Sequence, residues 1–187
     1  MKETDIKRIL FSYIFSCILC SNFFEDLSGA TLVNSVETAG DILQVALPVV
    51  SLGSTYLLDD RGGRKQFWKS YISSISLTYI LKYSVEKTRP NGDCCESFPS
   101  GHTTAAFAGA MFLQKRHGIK YGIPSLLLAS FVGFSRVYAE KHYWEDVVVG
   151  ASFGVLGNML FTKKYNNMSL SLTKNRQNLN LYLGVAL

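Results

Sequence analysis

The sequence predicts an all-α protein, a bundle of about six helices that we expect to be transmembrane. Apolar runs recur along the 187 residues, and short segments rich in Gly, Pro, Asn and Asp separate them. Lys and Arg concentrate in alternate connections between the runs, as they do in proteins that cross a membrane several times. The runs are residues 9–24, 42–58, 71–81, 103–113, 121–138 and 147–161.

The first run has two interpretations. Lys2, Lys7 and Arg8 precede it, and residues 28–30 are small enough for cleavage by a signal peptidase. We expect residues 1–30 to be either a signal peptide or a first membrane anchor. The chain is outside after this segment in both cases, and residues 31–164 then form the helical domain.

The basic residues give the remaining runs an orientation. If every run crosses a bilayer and the N-terminus is inside, the outside segment 25–41 has no Lys or Arg, whereas each inside segment has at least two. This is the distribution described by the positive-inside rule. It puts the connections that follow residues 81 and 138 on the same, external face.

Two of the runs are short for this interpretation. Residues 71–81 and 103–113 fall below the roughly 20 residues that span a bilayer, and the mean hydropathy is a modest +0.14. A compact helical protein exported to the periplasm would contain similar runs, because a buried core helix is also apolar. Such a protein is the alternative to an integral membrane bundle.

The formal net charge of +5 at pH 7 raises the question of a nucleic-acid partner. The basic residues, however, fall in short clusters between apolar runs and form no continuous stripe, and the sequence has no nucleic-acid-binding motif. We therefore expect a membrane, and not a nucleic acid, as the partner.

Two segments carry groups suited to binding an anion. Lys82 and Arg89 are seven residues apart, about two helical turns, so both can project toward one anion. Ser100, Gly101 and His102 stand just before an apolar run of helical character. Unpaired N–H groups at a helix start attract anions, so this segment favours the same ligand.

A third segment adds a histidine and a carboxylate. His142 and Asp146 are four residues apart, close enough on a helix for the carboxylate to fix one ring nitrogen. Arg136 precedes them and supplies another cation. Together the three segments predict a pocket that binds an oxyanion beside an oriented histidine.

These segments resemble the three signature motifs of the type 2 phosphatidic acid phosphatase family, which shares its catalytic core with bacterial acid phosphatases and vanadium haloperoxidases. The family motifs are Lys, six residues, Arg-Pro; Pro-Ser-Gly-His; and Ser-Arg, five residues, His, three residues, Asp. The matching residues are Lys82, Arg89 and Pro90; Pro99, Ser100, Gly101 and His102; and Ser135, Arg136, His142 and Asp146.

The resemblance implies a role for each matched polar residue. His142 would be the nucleophile that forms a phosphohistidine, and Asp146 would orient its ring. His102 would protonate the leaving oxygen and then activate water. The phosphate oxygens would be held by Lys82, Arg89, Ser100, Gly101 and Arg136. The resemblance implies no metal and no cofactor.

The implied reaction is hydrolysis of a phosphate monoester or pyrophosphate on a membrane lipid, at the external face of a bacterial inner membrane. No residue discriminates among phosphatidic acid, phosphatidylglycerophosphate, polyprenyl pyrophosphate and lipid A phosphates. An exported, soluble acid phosphatase or phosphotransferase of broad range is the alternative enzyme. An inactive lipid-binding protein is the alternative of another class.

Three further segments lead to predictions about the state of two cysteines, the exposure of a turn and the structure of the C-terminal tail. Cys94 and Cys95 lie in the connection between the first two motifs, and we expect two free thiols, with a vicinal disulfide or a bridge to another chain as the alternatives. His117 lies in the basic turn 115–118, which we expect to be solvated. Residues 165–187 alternate polar and apolar residues around a turn at 174–177, which is typical of a hairpin, although a disordered tail has a similar composition. We assign this tail no function.

Overall fold

The computed structural model describes residues 29–165, 168–174 and 179–185, with the side chains of residues 32–165. Five helices occupy the described part, and two antiparallel strands follow them. The helices are α1 (Gly29–Leu57), α2 (Arg61–Ser84), α3 (Gly101–His117), α4 (Ile119–Tyr138) and α5 (Trp144–Phe161), and the strands are β1 (Met168–Lys174) and β2 (Leu179–Val185). The predicted run 9–24 lies outside the described residues, so the sixth helix stays a prediction.

Helix α2 is much longer than the apolar run from which it was predicted, 24 residues in place of residues 71–81. Ser70, Ser74 and Thr78 interrupt the hydropathy pattern, yet all three are at most 2% exposed. Their hydroxyls donate to main-chain oxygens one turn back, and the Ser74 hydroxyl also lies 2.9 Å from the carbonyl oxygen of Phe153 on α5. The buried face of α2 is therefore partly polar, although Ser73 and Ser76 of the same helix are exposed.

Helix α3 lies at the centre of the bundle and contacts each of the other four helices. Its alanines and the large side chains of Phe112 and Leu113 are buried. Small residues let the neighbouring helices approach closely, as they do in membrane bundles. At Gly154 on α5, for example, a Cβ atom would lie 2.7 Å from the main-chain nitrogen of Ala108, so a larger residue there would force α5 away.

Helix α1 begins at Gly29, well before the predicted start at residue 42, because residues 29–41 are helical without being continuously apolar. It is joined to α3 where the Ser51 hydroxyl contacts the carbonyl oxygens of Leu47 and Gly109, both at 2.7 Å. By length and composition, α1 is the one described helix that meets a membrane-span criterion, over Leu32–Leu57. The transmembrane prediction for the other helices is not confirmed by that criterion.

The end of the bundle where α3 finishes is closed by a buried ion pair. Both Asp60 oxygens lie 2.6 Å from nitrogens of the Arg116 guanidinium, and a third nitrogen donates to the carbonyl oxygen of Lys163 at 2.8 Å. The prediction that this basic turn is solvated was wrong. Arg116 is 7% exposed, and the ring of His117 is half-buried with Nε2 2.9 Å from the Ser54 hydroxyl.

Candidate active site

The end of the bundle opposite the Arg116 ion pair contains a cavity of about 290 Å³. The end of α2, the start of α3 and the two connections 85–100 and 139–143 meet there. Its lining includes five of the residues that the motifs predicted: Lys82, Arg89, Gly101, His102 and His142. Gln44, Tyr71, Ile75, Tyr79, Glu96 and Ala105 complete it.

Two cations, Lys82 and Arg89, line this cavity. The Lys82 ammonium is largely buried and donates one hydrogen bond, at 2.6 Å, to the main-chain oxygen of Glu96, which leaves its other two N–H groups for a ligand. The Nε–H of Arg89 is buried without a hydrogen-bond partner in the described part of the chain. An unpaired buried donor costs on the order of 1–3 kcal/mol, and an anionic oxygen would satisfy it.

The start of α3 faces the same cavity. Ser100 is the N-cap, and its hydroxyl contacts the Thr103 hydroxyl at 2.9 Å and accepts from the Thr103 N–H. This hydroxyl, which was predicted to bind phosphate, thus serves the helix cap in the structure. Gly101 lines the cavity, and a Cβ atom there would meet nothing within 4 Å, so the space beside its Cα is open.

The ring of His142 is fixed by a main-chain carbonyl group. Its Nδ1 lies 2.6 Å from the carbonyl oxygen of Ser97, which can only accept, so Nδ1 carries the proton and Nε2 keeps its lone pair. Asp146 Oδ2 is 3.9 Å from the same Nδ1, beyond hydrogen-bond distance. In this structure the carboxylate therefore does not bond directly to the ring, and an intermediary residue connects the two groups.

That intermediary is Ser97, which is fully buried. Its hydroxyl donates to Asp146 Oδ2 at 2.5 Å, while its carbonyl oxygen accepts from His142. Asp146 also accepts from the Tyr143 N–H at 2.9 Å and from the Lys87 ammonium at 2.7 Å. Ser97 and Lys87 were not predicted from the sequence, because a main-chain contact and a tertiary ion pair leave no pattern of spacing.

Arg136 lies behind the cavity and does not line it. Its guanidinium is 2.8 Å from Asp41 Oδ1 and donates at 2.6 Å to the main-chain oxygen of Glu37, both on α1. Asp41 also contacts His102, whose Nε2 is 3.1 Å from the same Oδ1. Asp41 was not predicted from the sequence, although it is an acidic residue directly before the apolar run 42–58.

The connection that supplies Ser97 also contains Cys94 and Cys95. The structure joins these two cysteines in a vicinal disulfide, in place of the free thiols that were expected. Beside them, Glu96 lines the cavity, and its carbonyl oxygen accepts a hydrogen bond from Lys82. This connection thus contacts both Lys82 and His142.

The pKa of His142 is lowered to about 4, first because the ring is buried and further because Lys82 and Arg89 are positively charged; Ser97 and Asp146 oppose this effect. In the unfolded chain the ring takes up its proton near its ordinary value of 6.5. Between these values the unfolded state binds more protons, so stability is greatest above that range and falls as the pH drops, by up to about 3 kcal/mol.

This expectation is checked by thermal unfolding in detergent at about pH 7 and about pH 5. His142→Asn removes the titrating ring, so its melting midpoint should fall less on acidification than that of the unaltered protein. Equal falls in the two proteins would assign the acid sensitivity to other groups.

Comparison with known proteins finds related chains. A sequence model of the PAP2 superfamily matches residues 66–169. A Lipid A 1-phosphatase from Porphyromonas gingivalis is 35% identical over 105 residues, which are 50% of this chain and 24% of that protein. Lipid phosphate phosphatase 2 from Arabidopsis thaliana is 34% identical over 121 residues, 54% of this chain and 42% of that protein. The chain thus spans less than half the length of these two relatives.

Among solved structures, the crystal structure of Aquifex aeolicus LpxE is similar. The match covers 73% of this chain and 96% of that chain, with 25% sequence identity and a TM-score of 0.46.

Proposed function

Because this chain belongs to the PAP2 superfamily, we propose that it is a phosphatase that removes phosphate from a monoester or pyrophosphate on a membrane lipid, without a metal and through a phosphohistidine. One observation carries the proposal. The Nδ1–H of His142 is held by the Ser97 carbonyl oxygen, which leaves the Nε2 lone pair for a cavity that Lys82, Arg89 and His102 also line. A neutral, oriented nucleophile beside two cations and a second histidine is what phosphoryl transfer requires.

In the first step, Nε2 of His142 attacks phosphorus. The N–P bond forms as the bond from phosphorus to the leaving oxygen breaks, and His102 gives that oxygen a proton. Lys82 and Arg89 bind the equatorial phosphate oxygens, where their charge offsets the negative charge of the transition state. The N–H groups at the start of α3 add hydrogen bonds to the same oxygens.

In the second step, water attacks the phosphohistidine. His102, now neutral, takes a proton from the water as its oxygen bonds to phosphorus, and the N–P bond breaks. The electron pair returns to Nε2, while Nδ1 keeps its hydrogen bond to Ser97 throughout. Inorganic phosphate then leaves, and both histidines are restored.

The outer surface of the helices supports a membrane location. Helix α2 buries Ser70, Ser74 and Thr78 and exposes large apolar side chains, the reverse of a helix in a water-soluble protein. The apolar residues of α2 that are at least 42% exposed are Trp68, Ile72, Leu77, Tyr79, Ile80 and Tyr83. Such an apolar surface is favourable in contact with the hydrocarbon of a bilayer and unfavourable in water. This disfavours an exported soluble phosphatase.

The basic residues support an external active site. The end of the bundle opposite the cavity carries a cluster of Lys and Arg. Its described members are Arg61, Arg64, Lys65, Lys69, Lys115, Arg116, Lys120, Lys163 and Lys164. By the positive-inside rule this end is cytoplasmic, so the cavity opens on the periplasmic or outer side of the bacterial inner membrane.

The test is phosphate release by the detergent-purified protein, with EDTA and no added metal. The substrates are a lipid phosphate monoester, a lipid pyrophosphate and a soluble ester such as p-nitrophenyl phosphate. Release from a lipid is the expected result. Release from the soluble ester alone would favour the exported acid phosphatase, and dependence on an added metal would contradict the mechanism.

A further inference from the structure

Asp41 contacts the candidate active site although it lies on α1, outside every motif and outside the residues that match the family. Its Oδ1 is 3.1 Å from Nε2 of His102 and 2.8 Å from Nη1 of Arg136. One carboxylate oxygen thus bridges the proposed acid–base histidine and a buried arginine. No other carboxylate of the described residues contacts His102.

The local structure of α1 fixes this position. A Cβ atom on Gly40 would lie 2.8 Å from Nη2 of Arg136, so glycine allows α1 to pack directly against the guanidinium. The same Nη2 donates at 2.6 Å to the main-chain oxygen of Glu37, one turn before Asp41. Because Arg136 is only 2% exposed, it is a rigid anchor for the carboxylate.

We propose that Asp41 is a positioning residue for the acid–base step: by accepting the Nε2–H of His102, it makes Nδ1 the nitrogen that exchanges a proton with the substrate. The inference rests on the proposed function, in which His102 is the acid and base. Nδ1 of His102 has no hydrogen-bond partner among the described residues, and the residue lines the cavity. A carboxylate that holds one ring nitrogen also stabilises the charge of the doubly protonated ring.

The protons balance in both steps. Before attack, His102 carries a proton on each nitrogen, with Nε2–H bound to Asp41. As the leaving oxygen separates from phosphorus it takes the Nδ1 proton, and His102 becomes neutral with its Nε2–H still bound to Asp41. When water attacks the phosphohistidine, its proton goes to Nδ1 and the starting state returns.

A purely structural role for Asp41, tying α1 to α4 through Arg136, gives a different expectation. Loss of such a tie would lower turnover of every substrate by a similar factor. Loss of acid catalysis instead depends on the leaving group, because a stable phenolate departs without a proton whereas an alkoxide needs one. The dependence of kcat/KM on the leaving group therefore separates the two roles.

The experiment compares Asp41→Ala with the unaltered protein on p-nitrophenyl phosphate, phenyl phosphate and an alkyl phosphate. kcat/KM is the quantity to compare, because it reports the steps up to departure of the leaving group. Since general acid catalysis is worth about 10²–10⁴-fold, we expect a loss of roughly tenfold or more for the alkyl ester and a much smaller loss for p-nitrophenyl phosphate. Asp41→Asn keeps an oxygen acceptor and should recover part of the difference.

Glu37→Ala is the matched control. It removes a carboxylate from the same helix, one turn away, whose side chain pairs with Lys141 at 3.6 Å and whose main-chain bond to Arg136 survives the change. It should leave the leaving-group dependence unaltered. Equal losses on all three esters in Asp41→Ala would overturn the inference while leaving the proposed function intact. If the unaltered protein hydrolysed none of these esters and no lipid phosphate, the proposed function would fail first.

Discussion

His142→Ala should lower the rate of phosphate release by at least about three orders of magnitude, since removal of a nucleophile that acts in concert with other groups abolishes nearly the whole rate enhancement. The variant loses the Nε2 lone pair but leaves the cations of the cavity in place, so its KM should change much less than its kcat. Phosphate release from the preferred substrate measures the first effect. Brief labelling with a radioactive phosphate ester should trap an acid-labile phosphoprotein in the unaltered chain and none in the variant.

His117→Ala is the control for this experiment. It removes a second half-buried histidine, which contacts Ser54 at 2.9 Å at the opposite end of the bundle. Turnover should stay near that of the unaltered protein even if the variant is somewhat less stable. Equal losses of turnover in the two variants would refute the assignment of His142 as nucleophile.

The largest effect on stability is expected from Arg116→Met, which leaves the Asp60 carboxylate buried without its partner. Burial alone would raise the pKa of Asp60, but the hydrogen bonds from Arg116 and from the Gly63 N–H outweigh it and hold the pKa below its usual value. The carboxylate is therefore charged at neutral pH. Breaking a buried ion pair from one side costs about 3–5 kcal/mol, and a denaturant titration in detergent would measure the fall.

Two comparisons isolate the buried charge as the cause. Lys115→Met removes a neighbouring positive charge whose ammonium makes one exposed contact, at 3.3 Å, to the main-chain oxygen of Met159, and it should change stability by no more than about 0.5 kcal/mol. Adding Asp60→Asn to Arg116→Met removes the uncompensated charge, so the double variant should be more stable than Arg116→Met alone. A double variant with the summed losses would contradict this account.

Motif spacing predicts the part of the site that lines the cavity, because those residues stand at fixed separations in the sequence. Lys82, Arg89, Gly101, His102 and His142 line one cavity, and the resemblance to the family is confirmed by the match over residues 66–169. The supporting contacts could not be predicted in the same way. Ser97 acts through its carbonyl oxygen, and Asp41 reaches the site only because α1 packs against α4.

Hydropathy locates the helices but underestimates their extent. In α2 Ser70, Ser74 and Thr78 are buried and bonded to main-chain oxygens, so they belong to the interior although they lower the mean hydropathy. The charge of the basic turn 115–118 also led to a wrong prediction, that of exposure to solvent. Arg116 lies in a segment whose composition is typical of a solvated turn, yet it is buried because it pairs with Asp60, 56 positions earlier. A local sequence pattern cannot indicate such a distant partner.

The hydrogen bond between Ser97 and Asp146 also has a consequence for biosynthesis. A chain leaving the ribosome contains Lys82, Arg89 and His102 long before Asp146 is made. Until α5 joins the bundle, no carboxylate holds Ser97, and the His142 ring lacks its fixed acceptor. The proposed phosphoryl transfer therefore depends on α5, although the cations of the cavity stand earlier in the sequence.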